Sequence, residues 1–359
     1  MTRCILFRVT LLLLTWAGSF TSNLLFAVDE RTSIDVAHEQ LWARFINRHG
    51  IIHDYVGLRG EVDLPTPEEC RQDKPNALGW STPIEDGAFF NGLYLDAMCR
   101  RFQVTRAEID AQRARRIAGG LITLAEVGQA PGFIARGVAS DGRSHYAASS
   151  SDQTYPWFYG MWRYARSGIP TDKERGKVVS LIVEVAKGLE ANNWEMPIDK
   201  PGFGHFGHWT TGFSGTPGIL VGAEPQFDAG VRYLFVLRAL YDLTGDSSWL
   251  ERYRLSLGEK PSGSDKTRLE IAATGVDYVA PGEPAQFPER PRLWTSASTQ
   301  AGLNALSEME TESRIADEFR KGLRVNGLRA AKFISGYRRY DNGNTLPFDI
   351  RWRSLNSIW

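Results

Sequence analysis

Two segments lead an aspartate into an apolar, aromatic, glycine-containing run. Ile84–Tyr94 places Asp86 ahead of Gly87, and Ser149–Trp162 places Asp152 after three serines and ahead of Gln153, Tyr155 and Trp157. Each pattern predicts a helix whose first turn favours a negative charge. Two carboxylates facing one cleft are the minimal apparatus for acid–base cleavage of a glycosidic bond. Asp152 is the expected proton donor, because Tyr155, Trp157, Phe158 and Tyr159 would desolvate its carboxyl. Asp86 is its expected partner. Neighbouring side chains on a helix diverge, so only one of Glu85 and Asp86 faces a cleft, and Asp86 is preferred, with Glu85 beside the substrate. Asp228, within Pro225–Gly230, repeats the theme. For all three aspartates the competing role is simple helix capping.

Side chains able to bind a sugar surround these positions. His145, His205 and His208 offer hydrogen bonds to hydroxyls or a carboxylate. Tyr155, Trp157 and Trp209 offer flat faces for pyranose rings, although core packing is the ordinary role of such rings. Gln153 joins the expected binding set, and Arg136 and Arg143 suit a uronate carboxylate. The His-x-x-His pair has no acid at ligand spacing, so no metal is expected. Neither a nucleophile elbow, a phosphate loop nor a dinucleotide fingerprint occurs, and no cofactor is expected.

The chain of 359 residues has 42 basic and 42 acidic residues, which gives no electrostatic case for a nucleic-acid partner. Its 11 Trp, 12 Tyr and 18 Phe fit a well-filled core, an aromatic cleft, or both. Arg3 and Arg8 flank the start of an apolar run, Val9–Trp16, followed by small residues, and residues 1–27 read as an export signal. An uncleaved anchor is the competing reading. The expected location is therefore periplasmic or extracellular, with no membrane span after signal removal. Cys70 and Cys99 remain beyond that segment. They either form one disulfide or stay as buried thiols.

Apolar periodicity predicts helices over Ile34–Arg48, Gly87–Phe102, Arg106–Val127, Tyr155–Arg166, Asp172–Asn192, Phe227–Leu243, Ser248–Leu257, Leu293–Met309 and Arg314–Ile334. Thr105, Thr171 and Asp246 are the expected N-caps, and Gly168 and Gly245 the expected C-terminal stops. Asp172–Asn192 carries one apolar stripe, whereas Trp157–Ala165 and Val231–Tyr241 are apolar on nearly every side. Inner, fully buried helices thus alternate with outer, half-exposed ones. The loops Gly128–Asp152 and Trp194–Gln226 are long and rich in Gly, Pro, His, Trp and Ser, which suits a cleft better than the regular joints of a helical solenoid.

The Asp-Gly-aromatic helix start, the Ser-Asp-Gln-Thr-x-Pro-Trp-Phe-x-Gly helix start and Leu243-Thr244-Gly245-Asp246-x-x-Trp249-Leu250 together resemble the six-hairpin glycosidase superfamily over about Ile34 to Gly336. Within it the pattern is most similar to the unsaturated glucuronyl and rhamnogalacturonyl hydrolases. The resemblance implies an all-α fold, an (α/α) toroid of helical hairpins, as one domain over 28–359 with aspartates at the starts of inner helices. It implies an exported hydrolase acting on an oligosaccharide, including one that contains uronate, or hydrating an unsaturated uronic sugar. The predicted helices are fewer than six hairpins need, so either the ring is open or the domain lacks C-terminal sequence. Two other functions compete. A polysaccharide lyase would rely on Tyr155, His145 or His205 as base, and a non-catalytic glycan-binding or scaffold protein would need no paired acids.

Overall fold

The structure is a computed structural model and describes residues 30–57, 59–202, 204–209, 227–261, 263–281, 293–337 and 352–353. The expected export signal lies outside them. The described elements are helical except for one small ribbon. In chain order they are α1 (Glu30–Gln40), continued by a π-helical turn over Leu41–Phe45, α2 (Pro67–Arg71), α3 (Gly87–Thr105), α4 (Glu108–Glu126), α5 (Ser151–Arg166) and α6 (Asp172–Ala191). Strands β1 (Glu195–Pro197) and β2 (His205–His208) follow and pair antiparallel. Then come α7 (Phe227–Thr244), α8 (Ser247–Leu257), α9 (Arg268–Thr274), α10 (Leu293–Met309) and α11 (Ser313–Tyr337). The all-α class is as expected, and no described helix is long and apolar enough to cross a membrane.

Burial follows the expected alternation along α5, α6 and α7, whereas α3 and α4 bury similar shares of their residues. In α5 every residue from Gln153 to Trp162 is buried, and in α7 so is every residue from Gly230 to Leu240. Helix α6 buries only a stripe of Val178, Ile182, Val185, Ala186, Gly188 and Leu189. A helix apolar all round must be enclosed by others, and α5 and α7 are: α5 lies along α3 and touches α7 and α10, and α7 lies along α10. The half-exposed α4, α6, α8 and α11 each pack on the helix that precedes them. One apolar cluster runs from Ile46 to Phe319.

The α3–α5 contact depends on two glycines. An ideal Cβ on Gly92 would lie 2.0 Å from the Pro156 carbonyl oxygen, and one on Gly160 would lie 2.5 Å from the Gly92 carbonyl oxygen. No larger residue allows the backbones this close. The approach fixes the N-terminal turns of both helices relative to one another, and those turns carry Asp86 and Asp152.

Local signals explain most helix ends. Thr171 and Glu174 form a capping box at α6, and Asp246 caps α8 through Ser248 N at 3.0 Å. Gly168 and Gly245 adopt positive φ after α5 and α7, as expected of stops. Thr105 is a correction: it ends α3, and the residue before α4 is Ala107, which has no side chain able to cap. Thr105 donates to Asp110 at 2.6 Å instead, while Arg106 takes the left-handed turn at φ 55°. Helix α5 starts four residues earlier than the periodicity suggests. Pro156 thus lies inside the helix, where it forgoes the bond to the Asp152 carbonyl. Cys70 and Cys99 are both free and buried, which decides against the disulfide.

Candidate functional site

The backbone N–H groups at the start of α3 are satisfied from outside the helix. Asp86 is the N-cap residue, yet its side chain makes no capping bond. The Phe89 N–H that it would take donates to Gln153 Oε1 on α5 at 3.0 Å, and the Ala88 N–H donates to the Arg136 carbonyl at 3.0 Å. Gly87 makes room for this, since a Cβ there would sit 2.7 Å from Arg136 O. Its close approach is therefore to the Arg136 backbone. Freed from capping, Asp86 Oδ1 accepts from Gln153 Nε2 at 2.5 Å and lies 3.4 Å from Arg136 Nη1. Burial, outweighing Arg136 and Gln153, raises the Asp86 carboxyl above the ordinary carboxylate range, and the charge of Asp152 adds to the rise.

The start of α5 also lacks a side-chain cap. The hydroxyl of its N-cap residue Ser150 accepts from Arg136 Nη2 at 3.0 Å. Asp152, in the first turn, is ion-paired with Arg232 Nη1 of α7 at 2.7 Å. Arg232 also donates to Ser151 Oγ at 3.0 Å and to Thr299 Oγ1 of α10 at 3.2 Å, and its Nη2 lies 3.5 Å from Asp228 Oδ2. The Thr299 hydroxyl donates to Asp228. Asp86, Asp152 and Asp228 are thereby gathered around two buried arginines, Arg136 and Arg232. For the arginines, burial lowers Arg136, whereas the carboxylates Asp228 and Asp152 overcome burial and raise Arg232.

Asp54 is a member of this group that sequence reasoning missed. Its Oδ2 accepts from the Asp86 N–H at 3.0 Å, and burial, then the charge of Asp86, push its carboxyl well above the usual range. No local motif marks it. It reaches the site because Asn91 of α3 holds the segment before it, donating to Gly50 O at 2.7 Å and accepting from Ile52 N at 2.8 Å.

Other expected binding residues lie elsewhere or are otherwise engaged. Glu85, raised by burial, commits its carboxylate to the Ser81 N–H at 2.6 Å, closing a turn. Arg136 is an internal strut between α3 and α5, with Nη1 also donating to Glu85 O at 3.1 Å. Tyr155 and Trp157 are fully buried, and Trp209 nearly so, stacked on Trp194. All three serve as core, because the aromatic wall expected to desolvate Asp152 is turned inward against Phe235, Leu121 and neighbouring helices. His145 pairs with Asp199 at 3.0 Å and His205 with Glu195 at 2.7 Å. His208 stands opposite Glu195 in the ribbon. His145, Asp199 and His205 line a separate cavity of about 810 Å³ with Arg143, Lys200 and Asn192. No group of His, Cys, Asp and Glu suited to a metal ion occurs among the described residues.

The arrangement holds two differently partnered carboxyls: Asp86, raised by burial and bonded to Gln153, and Asp152, salt-bridged to Arg232. Such a pair can deliver a proton to a leaving oxygen while the second carboxylate acts on the opposite side of the bond. No family model, no curated protein and no solved structure matches the chain.

Proposed function

We propose that the protein is an exported glycoside hydrolase that cleaves an oligosaccharide with Asp86 and Asp152 as its paired acids. One observation carries this reading. Both aspartates stand at helix starts, where capping is the ordinary job of an Asp, and neither caps: Gln153 and Arg136 O take that role at α3, and Arg232 holds Asp152. A fold that uses two other groups to relieve Asp86 of capping, and leaves Asp152 beside it uncommitted to backbone, keeps two carboxylates for chemistry.

The roles differ from the expectation that Asp152 donates the proton. Asp86 is the carboxyl that burial lifts, so Asp86 is assigned the general acid and Asp152 the carboxylate that directs water or stabilises positive charge at the reacting carbon. The scaffold is proposed to be an (α/α) ring, as one domain, with α3/α4, α5/α6, α7/α8 and α10/α11 as its hairpins. Near the chain's end, Trp352 donates to Asp63 O at 2.9 Å and Arg353 to Glu69 Oε1 at 2.6 Å, bringing late and early segments together as a ring requires.

The lyase reading has less behind it. Its expected bases are Tyr155, sunk in the core with its hydroxyl raised by burial, and two histidines already bonded to carboxylates beside a different cavity. The test is reducing-end release from a panel of oligosaccharides. Loss of turnover with retained binding in Asp86→Asn and in Asp152→Asn supports the hydrolase. Turnover that survives both substitutions, or product absorbing as an unsaturated uronate, overturns it.

A further inference from the structure

The substrate class can be read from which charges at the site face outward. The Asp86, Asp152 and Asp228 side chains keep 26%, 28% and 23% of their surface open, while Arg136 and Arg232 keep only 6% and 3%. The negative groups therefore form the rim and the positive groups lie beneath it. The cations are also occupied: Arg136 bonds Glu85 O and Ser150, and Arg232 bonds Asp152, Ser151 and Thr299. Their leftover donors, Arg136 Nε and Arg232 Nη2, are buried atoms closed to an incoming group. Behind the rim, Asp54 and Glu85 are committed to backbone, accepting from the Asp86 and Ser81 N–H groups. Among the described residues, the side chains that bind this cluster bring no other cation.

We infer that the sugar held between Asp86, Asp152 and Asp228 is free of acidic substituents, a neutral or amino sugar, and that a uronate or sulfated residue is rejected there. The inference rests on the glycosidase reading and narrows it, against the uronate substrates that the sequence resemblance implies. Carboxylate oxygens accept hydrogen bonds from hydroxyl and ammonium groups and repel another carboxylate at close range. An uncharged sugar would bring the hydroxyls this rim lacks, and an amino sugar would add a compensating charge. A uronate would face three acidic side chains with no arginine among the described residues free to meet it.

The experiment is a glycan array carrying neutral, amino and uronate oligosaccharides in several linkages, probed at low salt with labelled Asp86→Asn protein, which mimics the protonated carboxyl. Neutral or amino glycans are expected to be retained. The carboxyl-reduced form of any uronate oligosaccharide is expected to bind about tenfold more tightly than its parent, a gap that narrows in added salt and in the further variant Asp228→Asn. A uronate parent that binds as tightly as its reduced form, or more tightly, overturns the inference and leaves the hydrolase standing. Retention of no glycan at all removes both.

Discussion

At the start of α6, Thr171 and Glu174 satisfy the exposed backbone N–H groups from within the helix's own first turn, whereas at the start of α3 that task falls to Gln153 of another helix and to the Arg136 carbonyl. Helices α2 and α9 follow α6, with capping boxes Thr66/Glu69 and Thr267/Glu270, and α5 follows α3, with its cap hydroxyl turned to Arg136. Helices α2, α6, α8 and α9 are thus closed by neighbours in sequence. Helix α3 is closed by neighbours in space. Local closure consumes the capping side chain, while closure from another helix releases it. Asp86 is therefore left uncommitted to the backbone of its own helix, whereas Thr171 and Glu174 are not.

The contrast makes its largest prediction at the inner helices. Asp86→Asn and Asp152→Asn should each lower kcat by about 10²–10⁴-fold, the usual contribution of a positioned acid or base, with little change in thermal stability. Steady-state kinetics on a substrate found by the panel checks this. A loss of stability in place of activity would return both residues to the capping role.

Next is the contact that sets the first turns of α3 and α5 side by side. Gly92→Ala would put a Cβ 2.0 Å from Pro156 O, on backbone that cannot yield easily, and should cost about 3 kcal/mol or more in urea unfolding. Gln153→Leu comes after it, with an expected cost of about 1–3 kcal/mol for leaving the Phe89 N–H unpaired, together with reduced turnover because Asp86 loses a partner. By contrast, Thr171→Ala at the start of an outer helix should cost only about 1 kcal/mol and leave turnover unchanged. Equal effects of Gln153→Leu and Thr171→Ala on turnover would erase the distinction between the layers.

The smallest effect is in the pH dependence of stability. Asp54 and Asp86 have folded pKa values above their unfolded ones, so the native state binds their protons more tightly. Their contribution is complete at pH below the ordinary carboxylate range and is lost as pH rises through the elevated folded values. Asp54→Asn, which keeps an acceptor for the Asp86 N–H, should flatten that decline above the ordinary range, as followed by urea midpoints across pH. An unchanged slope would show that Asp54 is ionised in the native protein.

Much of the scaffold was legible because periodicity is a local property. The all-round apolar runs of α5 and α7, the stripe of α6, and the cap and stop residues Thr171, Asp246, Gly168 and Gly245 follow from side chains within a turn or two of each other. Thr105 was misleading since it has the chemistry of a cap, yet Arg106 can take the left-handed turn and let α3 run on to it. The site was legible only as candidates. Asp86, Asp152 and Asp228 stand out as acids where helices begin, but Asp54 carries no signal, and Tyr155 and Trp157 look the same whether they line a cleft or fill a core.

The sequence by itself determined where the helices run, which faces they bury and which acids sit at their beginnings, because those depend on residue type and a repeat of a few positions. Tertiary structure alone decided what those acids are free to do. Whether an aspartate caps its own helix or stays available depends on which partner reaches the backbone N–H groups first. At α3 that partner arrives from Gln153 and Arg136, across a contact only two glycines allow.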